Sequence, residues 1–394
     1  MAATTTIILG GGFGGLAAAN TLRRLLPREH EVVIVDRSTD FHVGAGKTWV
    51  ALGERKYEDI SRPRTSLLDP GVRFVQARVL ALELAERRVV TDQVTLRFDQ
   101  LIIALGADPN PAAIPGLAEA AESFYTVEGA QRLRHALELF SGGELVLLVP
   151  KVPFKCPPAP YEAAMLLQQA FERRGLGGKA RITFCTVEPA PMPTAGPEMG
   201  QYIRTELESR GIAYQPQKKT VRVDGAARCV VFEDGSEARY DLLIAIPPHE
   251  ASQAVRDAQL TNPSGWIPVD PLTMQVKTAA GEIYAVGDVT VVPLPGRYKP
   301  DVPLSLPKAG VFAEAQGRAA AHQIAAQILG SLPRETFDGK GYCFLETGGG
   351  RAVKADGSFF ELPHPVMRKQ PADEAQFRDK LEWVARLLDP KRSP

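Results

Sequence analysis

Thr5-Thr6-Ile7-Ile8-Leu9-Gly10-Gly11-Gly12-Phe13-Gly14-Gly15 is the stretch whose reading decides the fold. An apolar, β-branched run over 5–9 meets a glycine cluster. A helix-favouring stretch at 16–26 follows, and then a second apolar run, Glu31-Val32-Val33-Ile34-Val35, that ends at Asp36. That order is a βαβ unit. A Gly-x-Gly-x-x-Gly string is weak alone, but here it lies between strand and helix with an acid about 20 residues beyond its last glycine, the pattern of a dinucleotide fingerprint. Gly10 permits the tight turn, and Gly12 lets a pyrophosphate reach the backbone at a helix N-terminus. Gly15 allows close helix–strand packing, and Asp36 can accept hydrogen bonds from ribose hydroxyls. The bland alternative is a glycine-rich turn with no ligand.

Two later segments extend the pattern. Phe98-Asp99-Gln100-Leu101-Ile102-Ile103-Ala104-Leu105-Gly106-Ala107 predicts a buried parallel strand closed by a glycine turn, and Gly281-Glu282-Ile283-Tyr284-Ala285-Val286-Gly287-Asp288-Val289 another that ends in Gly-Asp. Together they resemble the secondary signatures of the two-dinucleotide-binding-domain flavoproteins. The resemblance implies FAD, with Asp288 on its ribityl chain. It also places Gly10, Gly12, Phe13, Gly14, Gly15, Asp36, Arg37, Val79, Ala104, Gly106 and Gly287 against the cofactor. The fold class expected is α/β with two Rossmann-like dinucleotide-binding domains. The FAD domain is discontinuous, at 1–107 and 271–335, the second domain is a degenerate NAD type at 108–270, and a C-terminal segment spans 336–394.

The second domain has strand–helix–strand character at 144–150, 159–174 and 181–187, and a hairpin is expected between 229–232 and 240–246 around the turn Asp234-Gly235. Relatives bind NAD(P)H there through another glycine-rich turn. Here the strand Leu145-Val146-Leu147-Leu148-Val149 runs into Pro150-Lys151-Val152-Pro153-Phe154-Lys155-Cys156-Pro157-Pro158-Ala159-Pro160-Tyr161-Glu162, with no glycine where a pyrophosphate would touch backbone. Nicotinamide is therefore a poor candidate for electron donor.

Composition narrows the function classes. At 394 residues, with 44% hydrophobic and 23% charged residues, the chain has two or three domains' worth of core at about 150 residues each. Lys plus Arg and Asp plus Glu are 46 each, so the zero net charge offers phosphate polymers nothing and makes nucleic acid a poor partner. The apolar runs are strand-sized, too short to span a membrane, and Met1 leads into 4–9 with no basic or cleavable leader, so a cytoplasmic or peripheral membrane location is expected. Four cysteines, Cys156, Cys185, Cys229 and Cys343, are too scattered for a disulfide scaffold or a paired zinc site, and no metal is expected.

Cys156 precedes two prolines, so its thiol should stand at a helix N-terminus, where the dipole and Lys155 favour thiolate. Cys185 and Cys229 lie in strand-like runs and read as small core hydrophobes. The segments 154–162, 306–314 (Leu306-Pro307-Lys308-Ala309-Gly310-Val311-Phe312-Ala313-Glu314) and Gly341-Tyr342-Cys343-Phe344 resemble the motifs of sulfide:quinone oxidoreductases and of the flavoprotein subunit of flavocytochrome c sulfide dehydrogenase. The resemblance implies that Cys156 and Cys343 form the redox pair beside the flavin. The third cysteine of many quinone-linked members has no match, since 108–140 contain none. Hydrosulfide would attack the Cys156/Cys343 disulfide, and the released thiolate would pass two electrons to flavin, leaving sulfane sulfur on the enzyme. Glu162, in the same helix, is a candidate proton acceptor, or simply a carboxylate favoured near a helix start. Lys308 resembles the family lysine that stabilises reduced flavin.

Phe312 and Phe344 are candidates for an aromatic slot holding a quinone, with a c-type cytochrome the less favoured acceptor. At 373–392, Phe377, Leu381, Val384 and Leu388 recur on one helical face beside Trp383 and Leu387, with Arg378, Lys380, Arg386, Lys391 and Arg392 around them. Such a helix suits a membrane interface, its own domain or a second subunit of a homo-oligomer. Two competing readings are a type II NADH:quinone oxidoreductase or ferredoxin-reductase-like enzyme, and a non-catalytic flavoprotein sensor.

Overall fold

The computed structural model describes residues 3–277 and 282–389, so Met1, Gly281, Lys391 and Arg392 lie outside the described residues. The first βαβ unit sits in a five-stranded parallel sheet ordered Ile283–Ala285, Gln100–Ile103, Thr5–Leu9, Glu31–Asp36, Val72–Gln76. Its central strands are covered on both faces, which is why they read as unbroken apolar runs: Ile7 to Leu9, Val32 to Val35 and Leu101 to Ile103 have no exposed surface. The two helices Phe13–Leu25 and Gly310–Leu329 pack against each other, and glycines allow the approach. A Cβ on Gly317 would lie 2.2 Å from the Gly14 carbonyl oxygen. The strand after the long insertion therefore returns to the sheet of the first hundred residues.

The second sheet is also parallel, ordered Ala213–Gln215, Ala180–Thr186, Gly143–Val149, Leu242–Ala245. The Asp234-Gly235 turn does make a hairpin, but it pairs Cys229–Phe232 with Glu237–Arg239 rather than with 240–246. The later residues Leu242–Ala245 leave the hairpin and join the parallel sheet beside Gly143–Val149, because their uninterrupted apolar character suits a doubly covered position.

The C-terminal segment is an antiparallel sheet of Lys340–Gly348, Arg351–Ser358 and Val366–Lys369, covered by the helix Glu374–Leu388. Asp373 caps that helix by accepting from the Gln376 N–H at 2.8 Å. Val384 and Leu388 are buried against the protein's own sheet, and so is Lys380, one turn before Val384. Of the apolar stripe, Val384 and Leu388 are thus buried by the fold while Phe377 and Leu381 are half-buried, and buried Lys380 lines up with the first two because 380, 384 and 388 repeat at i, i+4, i+8.

Gly10 has φ +96°, and a Cβ on Gly15 would lie 1.8 Å from the Gly10 carbonyl oxygen, whereas a Cβ on Gly12 would meet nothing within 4 Å. These positions separate folding from binding. Gly15→Ala should lower unfolding free energy in urea by about 2 kcal/mol or more, as overpacking against backbone does. Gly12→Ala should stay within about 1 kcal/mol yet bind FAD more weakly in a fluorescence titration. Equal stability losses at the two positions would contradict this assignment.

Candidate active site

The cleft at the carboxyl end of the first sheet is walled by Gly12, Phe13 and Gly14 on one side, Ala104 and Gly106 below, and Gly287 and Asp288 on the other. Such crevices at strand ends are where parallel sheets bind ligands. The residues present fit FAD on two observations. The Gly12 face of the loop is open space at a helix start that no side chain caps, so backbone donors there are free to take a pyrophosphate. The Oδ1 of Asp288 is buried with no hydrogen-bond partner among the described residues, an acceptor awaiting a hydroxyl. Gly287, at φ +75°, brings the chain to that point and donates its N–H to Gln316 Oε1 at 2.7 Å.

Asp36 accepts from the Gly11 N–H at 2.6 Å and from the Ser38 N–H at 2.8 Å, so its carboxylate is already anchored to the loop. Beside it lies a residue that the motif reading missed. Arg64 is buried and donates to the carbonyl oxygens of Gly11 at 2.8 Å, of Asp40 at 3.0 Å and of Ser38, with Asp36 3.4 Å away. Arg37 is exposed and pairs with Asp108 at 3.5 Å, and Val79 opens the antiparallel strand Val79–Glu83. Neither lines the cleft around Gly12 and Asp288.

Three lysines crowd the cleft. Lys308 donates to the carbonyl oxygens of Asp288 at 2.6 Å and Thr290 at 3.0 Å, and stands 3.5 Å from the centre of the Trp266 ring. Lys155 donates to the Ala107 carbonyl at 3.0 Å, and Lys47, from a short helix after Gly44-Ala45-Gly46, completes the set. Burial pulls Lys47 and Lys308 down to about 7, and lowers Lys155 as well. Asp288 is raised by the same burial, against the pull of these three ammonium groups.

Cys156 lies in the same cleft, three residues before the helix Ala159–Arg173, in a left-handed backbone conformation at φ +57°. Its N–H donates to the Lys308 carbonyl at 2.8 Å, so the two family-like segments meet here. Cys343 comes from the strand Lys340–Gly348, which packs on that helix, and the charge of Cys156 acts on it. Both thiols are free. The expectation of a depressed thiol pKa at Cys156 is overturned. Burial and then Glu162 push it up to about 12, against Lys380 and Lys47, while the Lys155 ammonium is turned toward Ala107. Cys343 is likewise pushed up to about 12 by burial, Cys156 and Glu162.

Glu162 is the centre of a buried polar cluster. Its Oε1 accepts from the Lys380 ammonium at 2.6 Å and its Oε2 from the Glu346 N–H at 3.0 Å. Lys380 also donates to Glu346 Oε2 at 2.8 Å, which takes the Trp49 indole N–H at 2.8 Å as well. Sequence reading found Glu162 but missed Trp49, Glu346 and Lys380. The one signal for Lys380 was its place in the 380/384/388 stripe.

Phe312 and Phe344 do not face one another across a slot. Phe312 packs edge-on against Phe337 and Phe359 and walls an apolar cavity of about 370 Å³ that reaches Cys343. Phe344 packs against Trp383, 6.1 Å between ring centres, and Trp383 stacks on Phe13 of the loop at 6.3 Å. In the second sheet, Tyr161 fills the place beyond the helix start, stacked on Phe184 at 4.8 Å and donating its hydroxyl to buried Glu188.

A family model described as pyridine nucleotide-disulphide oxidoreductase matches residues 4–148 and 161–317. The chain belongs to this family. The break in the match, at 149–160, is the proline-rich stretch that holds Cys156. Similar proteins include the mitochondrial sulfide:quinone oxidoreductase of Mus musculus, 25% identical over 94% of this chain and 81% of the relative. A type II NADH:quinone oxidoreductase of Staphylococcus aureus is 25% identical over 84% of each. The crystal structure of the sulfide:quinone oxidoreductase from Aquifex aeolicus superposes with a TM-score of 0.85 at 22% identity, covering 97% of this chain and 90% of that one. This oxidoreductase is thus an α/β flavoenzyme, with FAD as its cofactor.

Asp288 provides the direct check on the cleft. Replacing it with Ala removes the buried, unpartnered oxygen, so the flavin-free protein should be no less stable in urea. Loss of a hydrogen bond to a charged group costs about 1.5–3 kcal/mol, so FAD should bind about tenfold or more weaker by fluorescence titration. Unchanged FAD affinity would remove Asp288 from the site.

Proposed function

We propose that this flavoenzyme oxidises sulfide through Cys156 and Cys343 and delivers the electrons to a quinone. One observation carries the reading: the helix start at which a nicotinamide dinucleotide would bind is built of prolines and presents Cys156. Pro157, Pro158 and Pro160 have no N–H, and the Ala159 N–H is taken by the Cys156 carbonyl at 3.0 Å. Few backbone donors are left for a pyrophosphate, and Tyr161 occupies Glu188, the acid at the end of the next strand that a ribose would otherwise engage. The names of the relatives from Mus musculus and Aquifex aeolicus support the same reading.

Hydrosulfide opens a Cys156/Cys343 disulfide, leaving a persulfide on one sulfur and a thiolate on the other. Bound FAD supplies the two-electron acceptor. Burial pushes both thiols up and disfavours a free thiolate at neutral pH, so the thiolate arises by disulfide opening or by transfer of a proton to a carboxylate, a role we give to Glu162. Lys308, at the cleft wall, would set a positive charge against bound FAD and favour negative charge on it. Strand alternation puts Cys343 on one side of its strand and Phe344 on the other. The sulfur side is then the apolar cavity walled by Phe312, and the quinone side is the Phe344–Trp383 edge. The similarity to the Staphylococcus aureus NADH:quinone oxidoreductase keeps NADH as the competing donor.

In a stopped-flow comparison, sulfide should bleach the flavin band rapidly, and NADH and NADPH should not. The reverse would overturn the reading. Steady turnover of a soluble quinone analogue should follow, whereas a single stoichiometric bleaching would identify a sensor instead. Cys156→Ser and Cys343→Ser should each abolish sulfide-driven turnover with FAD retained, and the double variant should be no worse than either, because residues that act as one unit are non-additive. Cys185→Ser and Cys229→Ser should retain turnover, and full turnover in Cys343→Ser would exclude the pair.

A further inference from the structure

The cluster around Glu162 points beyond this assignment. Lys380, Glu162 and Glu346 come from three segments of the chain, their side chains at most 6% exposed. Together they hold one ammonium and two carboxylates. With all three ionised the cluster has a negative charge left over, which leaves room for one proton in a site closed to water. A buried ion cluster is weak support for stability, since packed apolar side chains serve as well. Its place tells more: Glu162 follows Cys156 in the same segment and accepts from the N–H of Glu346 on the strand that carries Cys343, so the cluster joins the two cysteine-bearing segments, and Glu162 acts electrostatically on both thiols.

We propose that Lys380 and Glu346 are positioning residues for Glu162, fixing its carboxylate between the helix that follows Cys156 and the strand that carries Cys343 and setting how readily it takes the proton released during sulfide attack. The proposal rests on the sulfide reading above. In the step concerned, hydrosulfide forms a new S–S bond to one cysteine sulfur while the Cys156–Cys343 bond breaks. One sulfur becomes S–S–H and the other leaves as thiolate with the bond's electron pair. The S–S–H proton passes to Glu162, leaving an anionic persulfide, and the step moves one proton and no electron beyond the sulfur atoms.

The electrostatics give each neighbour a sign. Burial raises Glu162 above the usual carboxylate range, Lys380 pulls it back, and Glu346 pushes it up again. Lys380 itself is raised, because its two carboxylates outweigh the burial that would lower it. The other charged or titratable groups around the cluster are Cys156 on the loop, with Lys47 beside it, and Cys343 on the strand. Glu54 lies on the solvent side, where it feels Glu346 and Lys380 and is countered by Arg173 and Arg55. A carboxylate that must be ionised to accept a proton gives an acid limb, with the rate falling as pH drops through its pKa. Removing Lys380 should move that limb up, and removing the charge of Glu346 should move it down.

The test is the pH dependence of flavin bleaching by sulfide in the FAD-loaded full chain, for wild type, Lys380→Met, Lys380→Arg and Glu346→Gln, with flavin content and melting temperature recorded for each. Lys380→Met should shift the acid limb up by a pH unit or more, slowing reduction about tenfold at pH values below the wild-type limb and approaching the wild-type rate above it. Lys380→Arg should restore most of the shift, and Glu346→Gln should move the limb the opposite way. Limbs that coincide with wild type, or a slowing equal at every pH, would overturn the proposal. If Lys380→Met fails to hold FAD, Glu346→Gln and Lys380→Arg decide the matter by the same criterion. Failure of wild type to be bleached at all is a separate result, seen without any variant, that brings down the sulfide reading and this proposal with it.

Discussion

The Lys380 ammonium, held between Glu162 and Glu346 with the Trp49 indole on the same carboxylate, is the contact on which the arrangement of the site depends. It ties four distant segments together: the short helix Lys47–Ala51 of the first domain, the helix after Cys156, the strand that carries Cys343, and the C-terminal helix. Removing one partner from such a cluster leaves an uncompensated buried charge, which costs far more than the net worth of the intact pair. The register between the two cysteine-bearing segments is therefore fixed where it matters, since the Glu346 N–H donates to Glu162 and sets strand against helix. Trp383, three residues beyond Lys380, is placed by the same docking and stacks on Phe13 of the dinucleotide loop.

Around this anchor the cleft is electrostatically unbalanced until its cofactor is bound. Lys47, Lys155 and Lys308 all have lowered pKa values because burial disfavours their charge, and Asp288 is raised for the same reason. An anionic dinucleotide entering among them would favour the charged form of each lysine, so cofactor binding and lysine protonation are linked. The loop itself contributes backbone donors rather than charge, since Gly12 offers no side chain and the fixed cation nearby, Arg64, is occupied by three carbonyl oxygens. Arg64 therefore shapes the loop, and the lysines at the other end of the cleft supply the field.

What could be read from the sequence follows from which features are local. The glycine loop, the acid after the second strand and the Gly-Asp of the returning strand each lie within a short segment, and their periodicity and turn chemistry survive any tertiary arrangement. The alternating sheets were legible for the same reason. The partner of the 229–232 strand was not, because a turn signal fixes the turn but not which of two following runs pairs across it, and the parallel sheet took Leu242–Ala245. The low thiol pKa expected at Cys156 failed on burial, a quantity that no local pattern carries. Arg64, Lys47 and Glu346 act across long sequence separations and left no local trace. Lys380 did, at the apolar spacing of its helix, but a lysine there reads as solvated unless two carboxylates from elsewhere in the chain are known to meet it.

The two helix starts that face the cleft differ in what they offer it. At Gly12 the backbone is bare and its donors are free, so the helix end can take a phosphate. At Cys156 the corresponding turn has prolines at 157, 158 and 160, which remove donors, and a residue at φ +57° that turns the chain so that a thiol, not an N–H, faces the cleft. Beside it Tyr161 packs on Phe184 and donates to Glu188, so the space beside the second sheet is filled by a side chain and the buried carboxylate has its donor within the protein. The prolines remove the donors and Tyr161 takes both the space and the acid, so a nucleotide at this helix start would need both changes undone together.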